Sequence, residues 1–171
     1  AIDREGEGLL ENMYRMVGDW MIDTTLVKPD YSINQSHMDL SGRTIQFMPL
    51  QGHTKGDLAI FDQKSGVLFT GALAFHNRTP TTPHADIAQW MRALEQLEKH
   101  SYNVVVPGHG PVERDGRSFK QTLDYLGWLQ KTLYQAAENG LEMTEVMRLD
   151  IPQRFQSLSV ARAEFVRSVA Y

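Results

Sequence analysis

The sequence predicts an α/β fold, and three observations predict it. A three- to four-residue apolar period marks helices at both ends of the chain. Short apolar runs closed by glycine, proline or polar turns mark strands between residues 38 and 106, and one helical stretch at 87–100 interrupts those strands. The 171 residues are 42% apolar and 22% charged, ordinary for one folded domain. No run of about 20 apolar residues is present to cross a bilayer.

In order along the chain, Leu9, Leu10, Met13, Met16, Val17 and Trp20 give an amphipathic helix stopping near Gly18 to Trp20, its Met stripe read as core packing. Met38 and Leu40, a Ser41-Gly42 turn, and Ile45 and Phe47 alternate as a hairpin. Leu58–Phe61 and Val67–Thr70 flank a polar turn ending in Gly66 and form a second hairpin. After a Pro- and Thr-rich loop, Ile87, Trp90, Met91, Leu94 and Leu97 form a helix with Thr82 as N-cap and Pro83 in its first turn, ending near His100. Val104-Val105-Val106 is a buried strand stopped by Pro107-Gly108. Phe119, Leu123, Leu126, Leu133 and Ala137 make one long helical stripe ending before Asn139-Gly140, and shorter helices start near Thr144 and Ser159, each capped by that residue. The expected organisation is a single domain over 1–171: a helical lead-in at 1–36, a sheet and loop region at 37–112, and C-terminal helices at 113–171.

Seventeen basic and 21 acidic residues leave a net charge of −4 with no basic cluster, which argues against a nucleic-acid partner. The absence of cysteine removes disulfides, thiolate ligands and cysteine nucleophiles, leaving histidine and carboxylate for metal chemistry. The chain opens Ala1-Ile2-Asp3-Arg4-Glu5, without Met or an apolar leader, and is read as processed, trimmed or truncated.

Three loops at predicted strand ends carry the chemistry: Gly52-His53-Thr54-Lys55-Gly56-Asp57, Thr70-Gly71-Ala72-Leu73-Ala74-Phe75, and Pro107-Gly108-His109-Gly110-Pro111. Glycine beside a polar side chain turns the backbone sharply and leaves that side chain projecting from a rigid edge, which suits a ligand or catalytic group.

Their order and spacing resemble the C-terminal half of the metallo-β-lactamase superfamily, closely over residues 38–112. The run from Gly52 through Val112 is most similar to the zinc hydrolases associated with quinoprotein relay systems, in the glyoxalase II-like branch. The resemblance implies a four-layer α/β/β/α sandwich, here without its N-terminal half, and a two-metal zinc site. His53 would bind the first zinc and His109 the second, while Ala72 stands where the family has an aspartate bridging both metals. The remaining family ligands lie in an H-x-H-x-D-H loop that these residues do not contain. The resemblance therefore implies a zinc-dependent hydrolase of small esters, thioesters or lactones, supplied as a fragment that is metal-free or weakly occupied. It suggests a periplasmic setting, with a cytoplasmic one left open, and an apolar sheet face covered by the missing half, a second chain or a homodimer; the charge and the lack of a spanning stretch speak against a nucleic-acid or membrane partner. The alternative is a catalytically inactive pseudoenzyme or binding module on the same fold; a two-iron flavoprotein-type reductase ranks last, for want of carboxylate ligands.

Blander roles stand beside these. His53 and His109 can simply hydrogen-bond across loop ends, and Asp57 can shape its loop or orient a ligand histidine. His76 and His84 fall where relatives gather substrate-contacting groups, against surface or capping roles, and His37 and His100 carry no assigned function. Tyr125, Trp128 and Tyr134 pack the core or wall a substrate pocket.

Overall fold

The computed structural model describes residues 2–28 and 30–171, less the side chains of residues 2–5, 7 and 9. Ala1 and the Leu9 side chain, used above, lie outside the described residues. The chain gathers into two compact units, Ala1–Asn34 and Gln35–Tyr171.

The first unit holds α1 (Ile2–Val17) and a 3-10 turn at Gly18–Met21. The helix begins well before the expected start. Its Met stripe is a correction: Met13 is 36% exposed, Met16 73% and Trp20 91%, so the period is amphipathic but these side chains are not core.

The second unit is one five-stranded sheet in the order β1-β2-β3-β4-β5. Its strands are β1 (His37–Asp39), β2 (Thr44–Leu50), β3 (Asp57–Asp62), β4 (Val67–Phe69) and β5 (Val104–Val106). Both expected hairpins form, the first through a turn in which Gly42 N–H donates to the Asp39 carboxylate. β4 and β5 pair in parallel across the crossover that contains α2 (Ile87–Glu98), as a parallel neighbour requires. β2 and β4 each run antiparallel to β3, so β2, β4 and β5 share one direction and end at the same edge.

Period-2 alternation sends Met48, Ala59, Phe61, Leu68 and Val105 to a core completed by Trp90, Leu94 and Leu97 of α2 and by Phe119, Tyr125 and Leu126 of α3 (Arg117–Glu138). Trp90 is fully buried, and its indole N–H donates to Leu73 O at 2.8 Å, which fixes α2 against the turn after β4. The other face carries the in-register row Phe47, Ile60, Phe69 and Val106, with Phe69 43% exposed.

Three caps differ from expectation. The α2 cap is Asp86, whose carboxylate accepts from Gln89 N–H at 2.9 Å. Thr82 is instead folded into a turn with Ala85, and its hydroxyl donates to Ser168 at 2.7 Å. In α4 (Met143–Val146), Thr144 lies inside the helix, and the Glu145 carboxylate accepts from Glu142 N–H at 2.8 Å. A single turn, α5 (Gln153–Gln156), precedes α6 (Ala161–Val169), whose N-cap is Val160. Ser159 is drawn into a bridge with Arg78, its N–H donating to Asn77 O and its carbonyl accepting from Thr79 N–H. Trp128 packs with Tyr125, Phe155 and Phe165, whereas Tyr134 is 65% exposed.

Asp62, at the end of β3, accepts from the Arg43 guanidinium, Ser65 Oγ at 2.6 Å and Lys64 N–H at 3.1 Å, tying both hairpins together. The Arg43 hydrogen bond, then that of Ser65, hold its carboxyl down at about 2. A carboxylate depressed in the folded state stabilises above its unfolded value and loses that contribution as pH falls through the folded one. Arg43→Gln should therefore be less stable than wild type at neutral pH, with the gap closing between pH 4 and 2 in urea unfolding. An equal gap at both ends of that range would refute the role of this pair.

Candidate active site

His53, Ala72 and His109 follow the ends of β2, β4 and β5, the three strands of common direction. In the first loop, Asp57 Oδ1 accepts from Thr54 Oγ1 at 2.7 Å and Oδ2 from Thr54 N–H at 3.0 Å, closing the turn that holds His53. Asp57 Oδ1 is 4.0 Å from His53 Nδ1, an electrostatic contact beyond hydrogen-bond range. The His53 ring lies edge-on to Trp90 at 5.2 Å and 6.1 Å from Phe75, and its Nδ1 is buried without a partner.

His109 stacks on the same Phe75, centroids 4.5 Å apart and planes at 26°. Phe75 is fully buried, its N–H donating to Thr122 Oγ1 of α3 at 3.0 Å, so both imidazoles lie beside one buried ring. Gly108 makes the approach possible: a Cβ there would lie 2.3 Å from Gly71 O and 2.7 Å from Ala72 N. Ala72 itself sits in a 3-10 turn, Gly71–Leu73, and packs on the core, offering a methyl group and no charge.

Burial pushes the His53 imidazole below its ordinary value; Asp57 pulls it back, His109 adds to the drop, and Glu164 opposes it. Burial also lowers His109, with Arg78 pushing the same way and Glu164 opposing. Both histidines thus sense Glu164 of α6, a carboxylate the sequence reading missed.

Glu164 is 6% exposed, with Arg78 Nη2 at 3.9 Å and Arg167 Nη1 at 3.7 Å. Glu164 Oε2, Arg78 Nε and Thr79 Oγ1 are, like His53 Nδ1, buried without hydrogen-bond partners. A signal was present: Ala161, Glu164, Phe165 and Ser168 recur at the spacing of one helical face, so Glu164 lies on the buried stripe of its helix, where a carboxylate has a reason to be.

The other histidines go elsewhere. His76 is 7% exposed, and its Nδ1–H donates to Pro111 O at 2.8 Å. His84 has a left-handed backbone (φ 67°), meets Tyr171 edge-on at 4.9 Å, and borders a cavity of about 240 Å³ with Lys55, Asp86 and Gln89. Among the described residues no group of three or more His, Asp or Glu is arranged to hold a metal ion. Zinc takes three or four protein ligands, so two imidazoles beside a methyl group do not fit a zinc centre by themselves.

The family model of the metallo-beta-lactamase superfamily matches residues 2–109. The chain belongs to that superfamily. Among solved structures, it is similar to a metallo-beta-lactamase from Pontibacter korlensis, with TM-score 0.53 and 21% identity over 71% of this chain and 62% of that one. It is similar also to TMB-1 (TM-score 0.51, 20% identity, 67% of this chain and 55% of that one) and to the DIM-1 metallo-beta-lactamase exposed to ceftazidime (0.50, 22%, 66% and 53%). At these identities the likeness concerns the fold, and the chain spans 53–62% of the length of these metallo-beta-lactamases. The expected α/β class and superfamily stand. In this member of the superfamily, residues 35–171 build one five-stranded sheet with α2 and α3 packed on its core face.

Because both folded imidazoles are depressed, the unfolded chain binds more protons below the ordinary histidine value, and stability falls as pH drops from about 6.5 toward the folded values. In proton NMR titration, His53 and His109 should both titrate below 6.5. Glu164→Gln, by removing the charge that holds them up, should lower both midpoints further. Unchanged midpoints in that variant would remove Glu164 from the site.

Proposed function

We propose that this chain forms the C-terminal share of a zinc-dependent hydrolase centre, with His53 and His109 as two of its ligands and the others supplied from outside these residues. The reading is carried by one observation: two imidazoles on separate strand tips converge on the same buried ring, Phe75. Superfamily membership supports metal-dependent hydrolysis as the activity class. The motifs from Gly52 to Val112, similar to those of the quinoprotein-associated zinc hydrolases, favour a small ester, thioester or lactone as substrate. The net charge of −4 disfavours a phosphodiester.

The chain's own part in such a centre is positioning. Trp90 and Phe75 set the plane of the His53 ring, Phe75 and the Gly108 contact set His109, and their depressed pKa keeps both rings unprotonated at neutral pH, as ligation requires. We propose further that the exposed part of the second sheet face, centred on Phe69 beside the half-buried Ile60 and Val106, is covered by a second sheet, from a preceding segment bearing the H-x-H-x-D-H loop or from a second copy.

Ala72 favours a second reading, a binding or assembly module, because a methyl group at the bridging position supplies neither charge nor oxygen ligands. Zinc content by mass spectrometry and hydrolysis of ester, thioester and lactone probes should be measured for the Ala72 protein and for Ala72→Asp, each with a segment bearing the upstream motif. The Ala72→Asp substitution is expected to raise zinc affinity by ~10-fold or more and to bring turnover with it. If neither metal nor turnover appears with the carboxylate in place, the hydrolase reading gives way to the binding module.

A further inference from the structure

A cavity of about 520 Å³ opens between the loop after β4, Pro111, α3 and α5. That volume is within the roughly 300–1,000 Å³ of small-molecule sites. Its lining divides by chemistry. Phe155, Leu158 and Pro111 supply apolar surface, while Arg117, Lys120 and Arg154 set three cations against one carboxylate, Asp124.

Much of the polar lining is already committed. Arg117 Nε donates to Asp115 at 2.8 Å and Lys120 Nζ to Asp124 at 3.1 Å. Gln121 Nε2 serves the carbonyls of Phe75 and Arg78, and its Oε1 accepts from Asn77 N–H.

Two groups remain. Arg154 has no carboxylate partner among the described residues; its guanidinium carbon lies 4.7 Å from the Phe155 ring centroid. Stacking of that kind holds the guanidinium plane and leaves its N–H edge free for bidentate recognition of a carboxylate. His76 is the other. A carbonyl only accepts, so the Nδ1 that meets Pro111 O carries the proton, and Nε2 of the neutral ring is an acceptor. This ring is nine-tenths buried and lines the cavity, and its Nε2 has no protein partner among the described residues. An accessible acceptor at the wall of a cavity is open to a donor from a ligand or water.

We propose that this cavity binds a small hydroxylated organic carboxylate with an apolar body. The carboxylate sits on Arg154, with Arg117 and Lys120 adding to the positive field. The body lies against Phe155 and Leu158, and the hydroxyl donates to His76 Nε2. The proposal rests on the cavity alone and stands or falls apart from any metal at His53 and His109.

The test is calorimetric titration of the full chain with 4-hydroxyphenylacetate, phenylacetate, the neutral alcohol tyrosol and inorganic phosphate, with amide NMR to locate binding. The hydroxycarboxylate should saturate and shift His76, Asn77 and Arg154, and should weaken as salt is added. Phenylacetate should bind several-fold less tightly, and tyrosol and phosphate at least ~10-fold less tightly, each lacking one of the matched groups. Arg154→Gln, at an exposed position outside the core, should lose ~10-fold or more, and Arg154→Lys most of that, because the fork is lost while the charge remains. Tyrosol or phosphate matching the carboxylate, an Arg154→Gln protein that binds as well as wild type, or no saturable binding of the hydroxycarboxylate would each overturn the proposal.

Discussion

The common direction of β2, β4 and β5 is the constraint on which the rest depends. Antiparallel pairing through β3 reverses the chain twice, and the α2 crossover returns it parallel to β4. Three strand ends therefore reach one edge of the sheet, where loops have freedom in sequence but not in position. The edge is then locked at contact distance. The 107–111 loop can lie on the turn carrying Ala72 only because residue 108 lacks a Cβ, and Phe75 is pinned from behind by Thr122. Neither imidazole needs a hydrogen bond to another side chain to be placed; packing against Phe75 and Trp90 does it.

Charge at that edge is arranged unusually. The bridging position carries a methyl group, while a buried carboxylate arrives from the far end of the chain on α6 and is felt by both histidines. Glu164 is not a closed ion pair: both arginines stand at 3.7–3.9 Å, and atoms on Glu164, Arg78 and Thr79 have no partners. Unmatched buried polar atoms cost on the order of 1–3 kcal/mol each, more where charge is involved. Several of them gathered beside two depressed histidines mark a place where polarity is retained at the expense of stability, the usual balance at a functional site.

What the sequence made legible follows from which features are local. Alternation at 45–47 and 58–61, the turn ending in Gly66 and the valine run at 104–106 each specify a strand within a few residues, and the three loops at their ends locate His53, Ala72 and His109. The caps were harder. Thr82 has the chemistry of an N-cap, but its hydroxyl is taken by Ser168, 86 residues away, and a turn through Ala85 moves the helix start to Asp86. Ser159 is likewise claimed by the backbone of Asn77 and Thr79, which hydrogen-bond to it across the bridge to Arg78. The Met13 and Met16 stripe shows period without burial, since amphipathicity says which face is apolar and not what covers it. Glu164 joins a site assembled from loops more than 50 residues before it, and only its place in the buried period of α6 betrays it.

His76 links the edge to the cavity beside it. Its backbone N–H donates to His109 O at 2.9 Å and its Nδ1–H to Pro111 O, so one residue grips the loop on both sides of Gly110. Gly110 cannot give way: it has φ 94°, and a Cβ there would fall 1.8 Å from His76 O. The His109 ring is therefore held from one face by Phe75 and through its backbone by His76, while the free nitrogen of His76 faces other chemistry. Tightening the grip on His76 would restrict the loop that carries His109 without touching the imidazole. That makes this residue the shortest physical connection between the cavity and the paired histidines, a single hydrogen bond in length.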